Sequence, residues 1–377
     1  MTNNSTGSNN PSGAILEQGQ SIWYDNISRE LITSGSLSKM LSSYGVRGMT
    51  SNPSIFDAAL KKGNSYDGQV ASLANQGLST QDLFNEIALQ DIAWAADLLL
   101  PIYHESKTLD GYVSLEVSPL LARDAEGTIK EAEILNSRLN RPNVMIKIPG
   151  TKECLPAIKA CLEMGININV TLLFSVDNYV SVAETYCEAL RNRLKAGKPV
   201  RSVRSVASFF VSRVDTNVDA AIAVIENKEP RAGELKSKFG IANCKLAYEQ
   251  FKRIFLGDSF SDLRAAGAFV QRPLWASTST KSASLKDTIY VEELIGPDTV
   301  NTMPHVTLEA TLDHGNIRGN TIEEGLSEAH QLKSQLVELG VDIPAILEEL
   351  QVDGVKKFAE SFDSLLSSVE AKRVALK

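Results

Sequence analysis

Lys147 has the residue type and the surroundings of a nucleophile. It lies in the run Val144–Ile148, whose other side chains are all apolar, and we expect this run to be a buried β-strand. A buried ammonium is unfavourable unless it is paired, so burial favours the free amine, which can attack a carbonyl carbon and form a Schiff base. The alternative is a structural lysine that reaches the rim of the sheet or pairs with Glu116.

Two carboxylates, Asp25 and Glu116, follow other apolar runs and could transfer protons. Cleavage of a carbon–carbon bond through an iminium needs two separate proton transfers. One helps the carbinolamine hydroxyl leave as water, and the other removes the proton from the hydroxyl beside the breaking bond. Each carboxylate taken alone is more simply explained as an ion-pair partner, so the catalytic interpretation depends on Lys147.

Arg213 and Lys281 are candidate phosphate ligands. Arg213 lies four residues after the sixth β-rich run, and Lys281 lies four residues after Ser277. Phosphate sites of barrel enzymes often lie near the last strands, and both side chains carry the required charge. Solvated surface positions are the alternative for both residues.

The sequence contains no motif for a metal or a nucleotide. The histidines show neither HExxH nor another paired ligand spacing, and both a Walker-type loop and a GxGxxG fingerprint are lacking. We therefore expect no metal and no cofactor. The cysteines show no CxxC spacing, which predicts core packing rather than a metal site or a disulfide framework. They are Cys154, Cys161, Cys187 and Cys244.

Eight short β-rich runs alternate with longer amphipathic stretches. They are Ser21–Tyr24, Val46–Thr50, Tyr112–Val117, Val144–Ile148, Ile166–Leu172, Val203–Phe209, Leu274–Ser277 and Thr299–Met303. This alternation is typical of βαβ units and predicts an α/β fold, a (β/α)8 TIM barrel with additional helices. The active site of such a barrel lies at the carboxyl ends of its strands. The polar residues at those ends are Asp25, Thr50, Asn52, Glu116, Lys147, Asn169, Thr171, Ser208, Ser277 and Thr302.

Capping residues and apolar periodicity predict the helices between these runs. Ser79 opens a pattern that resembles a capping box followed by an apolar face, and Thr151 and Gly165 have the residue types that begin and end a helix. The long spacers 53–111 and 212–272 require helices beyond one per unit. A last amphipathic pattern over 355–369 predicts a helix across the outside of the fold.

Composition and charge exclude several classes of protein. The chain has 377 residues, of which 43% are hydrophobic and 22% charged, and its net charge of −8 weighs against a nucleic-acid or anionic-membrane partner. No run approaches the ~20 apolar residues of a membrane span, and a signal-peptide pattern is lacking, so we expect a cytoplasmic location. Residues 1–13 are expected to be a disordered tail, and 14–377 a single catalytic domain that includes the C-terminal helix. The oligomeric state is left open.

Five segments, in order along the chain, resemble motifs of transaldolases, the Schiff-base sugar-phosphate transferases of the class I aldolase group. They are Trp23–Asn26, Gly48–Phe56, Val113–Val117, Ile146–Thr151 and Asn169–Ser175. The resemblance extends from about Ser21 to the C-terminus. The segment Arg272–Thr278 is similar to the longer bacterial branch of the family.

The resemblance implies transfer of a dihydroxyacetone unit from a ketose phosphate to an aldose phosphate in the non-oxidative pentose phosphate pathway. The donors would be sedoheptulose 7-phosphate or fructose 6-phosphate, and the acceptors glyceraldehyde 3-phosphate or erythrose 4-phosphate. It also implies that Lys147 forms the Schiff base and that Glu116, with a water held by Thr171, moves the proton that lets the hydroxyl leave. Asp25 would take the proton of the C4 hydroxyl as the C3–C4 bond breaks.

The resemblance further assigns hydroxyl contacts to the bound three-carbon unit, which must be held in attack geometry between the half-reactions. They are Asn52, Asn169 and Ser208. Arg213 matches the phosphate arginine of the family, and Ser277 and Lys281 belong to the same phosphate region. Better-known members carry an arginine soon after the serine, whereas this chain has Lys281, which lacks the bidentate fork of an arginine.

Two alternatives remain. The related aldolase, which cleaves the ketose and releases dihydroxyacetone, is expected to have glutamine in place of Glu116 and tyrosine in place of Phe210, so both positions favour the transferase. A catalytically silent sugar-phosphate-binding barrel is the other alternative, because fold alone does not fix function. Such a protein would be expected to lack at least one of Lys147, Glu116 and Asp25.

Overall fold

Eight parallel strands close into one barrel in the computed structural model, which describes residues 10–376. The strands are β1 (Gln20–Asp25), β2 (Val46–Thr50), β3 (Val113–Glu116), β4 (Val144–Pro149), β5 (Ile168–Leu173), β6 (Ser205–Phe210), β7 (Arg272–Ala276) and β8 (Thr299–Met303). They neighbour one another in chain order, and β8 pairs with β1. All eight predicted runs are therefore strands, and the predicted TIM barrel is confirmed.

Helices lie in every connection between the strands, and further helices precede β1 and follow β8. They are α1 (Pro11–Glu17), α2 (Arg29–Thr33), α3 (Ser36–Ser43), α4 (Pro53–Lys61), α5 (Asp67–Leu73), α6 (Thr80–Glu105), α7 (Ala125–Leu139), α8 (Leu155–Met164), α9 (Val176–Lys195), α10 (Ser212–Glu226), α11 (Phe239–Phe251), α12 (Ser261–Ala265), α13 (Ile289–Glu292), α14 (His305–His314), α15 (Leu326–Glu338) and α16 (Ile343–Ala375). The additional helices expected in the spacers 53–111 and 212–272 are present.

The predicted caps begin and end two of these helices. Ser79 accepts a hydrogen bond from the N–H of Asp82 at the start of α6. Thr151 caps a short 3-10 turn, Lys152–Cys154, which leads directly into α8. Gly165 ends α8 with a φ of 97°, a left-handed conformation that glycine adopts without steric strain.

The position of α16 corrects one prediction. Instead of lying on the outside of the fold, the helix crosses the carboxyl end of the barrel, where Gln351 Nε2 donates to the carbonyl oxygens of Leu172 (3.0 Å) and Gly150 (3.3 Å). Gly354 permits this approach, because a Cβ there would be 3.1 Å from Leu172 Cδ2. The apolar face of the helix is buried against the barrel and its loops, which amphipathicity alone does not specify.

The predicted tail is also too long. Residues 1–9 lie outside the described residues, but Pro11 to Gly13 belong to helix α1, so the boundary at residue 13 is wrong. Asn10 caps this helix by accepting from the N–H of Ser12, and Ile15 is fully buried. The local cap and one buried apolar residue outweigh the polar composition.

All four cysteines are free and buried, as predicted. Within residues 10–376, no helix is long and apolar enough to cross a membrane.

Candidate active site

Three of the predicted site residues are neighbours on adjacent strands of the barrel. Strand register pairs Glu116 on β3 with Lys147 on β4, and Lys147 with Asn169 on β5. Lys147 is 5% exposed, and its Nζ donates to the carbonyl oxygen of Ser51 (3.1 Å). Its Nζ lies 3.7 Å from Glu116 Oε2, which is longer than a hydrogen bond. The lysine is thus buried beside a carboxylate without a close ion pair.

Glu116 is a buried carboxyl group without hydrogen-bond partners among the described residues. Neither carboxyl oxygen has a hydrogen-bond partner among residues 10–376. Burial raises the pKa of Glu116 to about 7, although the charge of Lys147 opposes the shift. A carboxyl group with a pKa near neutrality can both donate and accept a proton under physiological conditions.

Thr171 presents a second unsatisfied polar group in the same region. Its hydroxyl is buried and also has no hydrogen-bond partner among the described residues. The register of β5 against β6 is irregular between Val170 and Leu173, and Leu172 has a φ of 60°. Such irregularities redirect side chains next to active sites, and this one follows Thr171 immediately.

Asp25 is held at the end of β1 by Thr50, which in turn contacts Thr302. Thr50 Oγ1 donates to Asp25 Oδ1 (2.6 Å) and lies 2.7 Å from Thr302 Oγ1. Burial raises the pKa of Asp25, and the charges of Lys147 and Arg213 together with the Thr50 hydrogen bond oppose that shift. Asp25 at the end of β1 and Lys147 on β4 line the same cavity.

Asn169 links β3, β5 and β6 by hydrogen bonds. Its Nδ2 donates to Ser114 Oγ (3.0 Å), and its Oδ1 accepts from Ser208 Oγ (2.7 Å). Asn52 has a structural function as well, because its Oδ1 accepts from the N–H of Ile55 and caps α4. These contacts fix the orientation of Asn169, Ser208 and Asn52.

Arg213, Ser277 and Lys281 lie at the mouth. The guanidinium of Arg213 is 5.0 Å from the ring centroid of Phe210. Ser277 has a φ of 58°, and its Oγ lies 2.8 Å from that of Ser212. Lys281 is exposed. Two cations thus lie near the last strands, one half-buried and one in solvent.

A single cavity of about 170 Å³ brings most of these residues together. The predicted residues that line it are Asp25, Asn52, Lys147, Thr171, Ser208, Arg213, Ser277 and Lys281. Glu116 adjoins the cavity through Lys147, and Asn169 lies beneath Ser208. All ten predicted residues are therefore at or next to one site at the carboxyl ends of the strands.

Sequence reasoning missed Phe358. This residue of α16 lines the cavity, and its ring centroid is 5.5 Å from Lys147 Nζ. Its place on an apolar helical face is indistinguishable from core packing in the sequence. A larger cavity of about 430 Å³ adjoins the site and shares Asp25, Ser54 and Pro304 with it. Ser54 and Pro304 were not predicted site residues either.

The described residues 10–376 contain no cluster of three or more His, Cys, Asp or Glu side chains placed to hold a metal ion. The expectation that the site works without a metal or a cofactor stays a prediction.

Comparison with known proteins gives a consistent result. A family model described as transaldolase/fructose-6-phosphate aldolase matches residues 22–369. A transaldolase 2 of Nostoc sp. is 44% identical over 367 residues, which cover 95% of this chain and 96% of that protein. The transaldolase of Parafrankia sp. is 46% identical over 359 residues (95% and 97%), and that of Thermobifida fusca is 44% identical over 365 residues (97% and 99%).

Proposed function

Because the chain belongs to the transaldolase/fructose-6-phosphate aldolase family, we propose that it is a transaldolase, a transferase of aldehyde or ketone residues. It transfers a dihydroxyacetone unit from a ketose phosphate (sedoheptulose 7-phosphate or fructose 6-phosphate) to an aldose phosphate (glyceraldehyde 3-phosphate or erythrose 4-phosphate). The observation that carries the proposal is the buried Lys147, with Glu116 3.7 Å away and Asp25 lining the same cavity. This arrangement supplies one nucleophile and two separate proton carriers.

The first step is formation of the Schiff base. Lys147 Nζ attacks the ketone carbon of the donor, and the carbinolamine then loses its hydroxyl as water. Glu116, with a pKa of about 7, supplies the proton for that loss and recovers it on hydrolysis. The unsatisfied hydroxyl of Thr171 supports a water between it and Glu116, because a buried polar group needs a partner.

The second step is cleavage of the bond between C3 and C4. Asp25 accepts the proton of the C4 hydroxyl, the C3–C4 electron pair moves into the iminium, and the aldose phosphate leaves. A neutral enamine of three carbons stays on Lys147. The acceptor aldehyde is attacked by this enamine through the reverse sequence, and Asp25 returns its proton to the new hydroxyl.

Retention of the enamine requires contacts to its hydroxyl groups. Asn52 and Ser208 line the cavity and are oriented by hydrogen bonds within the protein. Asn169 supports Ser208 directly, and its own contact with the three-carbon unit stays a prediction. Prepositioned polar groups of this kind lower the entropic barrier to the second half-reaction.

The phosphate of donor and acceptor is proposed to bind at the mouth. The guanidinium of Arg213 lines the cavity and makes no hydrogen bond or ion pair with another residue in 10–376, so its N–H donors are available for a phosphate. Ser277 adds a hydroxyl, and Lys281 adds a positive charge from a flanking loop. Sugar phosphates are thus the proposed substrates.

The cytoplasmic location stays a prediction.

The name of the matching family also includes fructose-6-phosphate aldolase, and the resemblance implies that such an aldolase releases free dihydroxyacetone and differs from the transferase at two positions. Glu116 and Phe210 are the residues expected in the transferase. We predict that Glu116→Gln combined with Phe210→Tyr raises the release of free dihydroxyacetone from fructose 6-phosphate. Unchanged release in the double variant, measured with a coupled reductase assay, would show that these positions do not select the reaction.

The decisive experiment is borohydride reduction of the protein in the presence of fructose 6-phosphate, followed by mass mapping. Reduction of the iminium after cleavage leaves a three-carbon adduct on the lysine nitrogen, so we expect this adduct on Lys147. Protein without fructose 6-phosphate is the control for nonspecific modification. Folded protein with no adduct on Lys147 would reject the Schiff-base mechanism and favour the binding-protein alternative.

A further inference from the structure

Phe358 covers Lys147 from the mouth of the barrel. The ring centroid lies 5.5 Å from Nζ, and the side chain is 8% exposed. Phe358 lines the lysine cavity and also a neighbouring cavity of about 410 Å³, which contains Arg213 and Lys357. The ring therefore lies at the boundary between the lysine cavity and a polar, solvent-connected space, a boundary that it shares with Asn52, Ser54 and Arg213.

Contacts along α16 fix the position of this ring. On one side, Gln351 Nε2 bonds to the carbonyls of Leu172 and Gly150. On the other side, the hydroxyls of Ser364 and Ser368 donate to the two carboxylate oxygens of Asp57 (2.9 and 2.6 Å). Phe358 lies between these two attachments, so the helix holds it over the lysine.

We propose that Phe358 is a specificity-determining residue that keeps bulk water, beyond the water proposed between Glu116 and Thr171, from the three-carbon unit on Lys147, so that this unit leaves by transfer rather than by hydrolysis. This inference rests on the proposed transaldolase function. Exclusion of water is a general means of protecting reactive intermediates from side reactions. The ring is the apolar group at the boundary between the lysine cavity and the 410 Å³ cavity.

The competing hydrolysis has a simple balance. The enamine carbon takes up a proton and becomes part of an iminium, and water adds to the iminium carbon. The carbon–nitrogen bond then breaks and releases dihydroxyacetone and the free amine of Lys147. One hydrogen of the water ends on carbon, the other ends on the lysine nitrogen, and the oxygen becomes the ketone oxygen. Neither an oxidant nor a reductant takes part.

The test measures the ratio of free dihydroxyacetone to transferred product with fructose 6-phosphate and erythrose 4-phosphate. Phe358→Ala opens the cover, whereas Phe358→Leu keeps an apolar side chain and guards against a folding defect in the alanine variant. Leu347→Ala is the matched control, because Leu347 is a buried residue of the same helix that does not line the cavity. Borohydride trapping on Lys147 is measured for each protein.

We expect the ratio to rise about tenfold in Phe358→Ala, the scale on which one apolar contact discriminates between competing outcomes, and to rise less in Phe358→Leu. Leu347→Ala should keep the original ratio. An unchanged ratio in both Phe358 variants that still form the adduct would overturn the inference while leaving the proposed function intact. Absence of both transfer and adduct in the unmodified protein would reject the proposed function, and the inference with it.

Discussion

The two ends of the barrel bury charged residues in opposite ways. At the amino ends of the strands, Arg272 Nη1 donates to Asp110 Oδ1 (3.1 Å), and its Nη2 donates to Ser21 Oγ (2.5 Å). Asp110 also accepts from Ser21 (2.6 Å) and Trp23 (3.1 Å). At the carboxyl ends, Lys147 and Glu116 are as deeply buried as this pair but lie 3.7 Å apart, and neither oxygen of Glu116 has a hydrogen-bond partner among residues 10–376.

Burial alone therefore does not distinguish structure from function in this molecule. At the amino end, Arg272 and Asp110 bond to each other and to neighbouring residues, and these contacts stabilise the barrel. The incompletely paired charges at the carboxyl end keep hydrogen-bonding capacity for a substrate, and burial raises the pKa of Glu116, which is typical of a reaction site.

Lys147→Arg is expected to have the largest effect on activity with the smallest effect on the fold. The positive charge persists, but a guanidinium forms no imine, so transfer should fall by more than about 10³-fold while the fold is retained. Lys198→Arg, at an exposed lysine, is the control. Turnover and circular dichroism measure the two effects, and substantial turnover in Lys147→Arg would eliminate the imine.

Asp25→Asn should separate cleavage from imine formation. Loss of the base for the C4 hydroxyl should slow transfer by about 10²–10⁴-fold, while the donor can still condense with Lys147. Single-turnover release of the aldose phosphate and borohydride trapping of the intact six-carbon donor report these steps separately. Equal loss of both signals would show that Asp25 does not act specifically in cleavage.

Substitutions at the amino ends of the strands should change the free energy of unfolding rather than the reaction. Arg272→Met leaves Asp110 buried without its cation, which should lower the free energy of unfolding by about 3–5 kcal/mol. Arg191→Met breaks the exposed pair with Asp262 and should cost less than about 1 kcal/mol. Urea denaturation compares the two variants, and similar losses would contradict the importance of the buried pair.

Glu116→Gln should increase the free energy of unfolding, because a buried ionised carboxylate destabilises the folded protein. The folded pKa of about 7 exceeds the ordinary value of 4.5, so folding favours the protonated form. The associated stability is complete below pH 4.5 and is lost as the pH rises through 7. The glutamine variant should thus gain up to about 3 kcal/mol relative to the unmodified protein between pH 5 and pH 8.

Glu184→Gln, at an exposed carboxylate, serves as the control for that comparison. Urea denaturation at both pH values measures the difference. A difference between Glu116→Gln and the unmodified protein that does not depend on pH would mean that burial does not raise the pKa of Glu116.

The barrel and the residues on its strand ends were predictable because both depend on short segments. Apolar runs locate the strands, and parallel pairing in chain order then places Glu116, Lys147 and Asn169 at one level. Lys147 was informative because a charged residue inside an apolar run conflicts with its surroundings. The roles of these residues came from the family resemblance rather than from their spacing.

Other parts of the site were not predictable because they depend on contacts between distant segments. The apolar face of α16 predicts burial but not the surface that buries it, so Phe358 was not connected with Lys147. The left-handed backbone at Leu172 and Ser277 has no glycine to indicate it. Such conformations persist because the surrounding structure imposes them, and they follow from the assembled barrel.

The attachment of α16 also sets an order of events during synthesis. Ser368 and Asp57, which hold the helix on the barrel, are 311 residues apart in the chain, and β1 pairs with β8 to close the sheet. Contacts between such distant residues require closure of a long loop, and the entropic cost of that closure favours their late formation. Lys147 is therefore synthesised before the helix that covers it, and the ring of Phe358 reaches the lysine only when α16 docks.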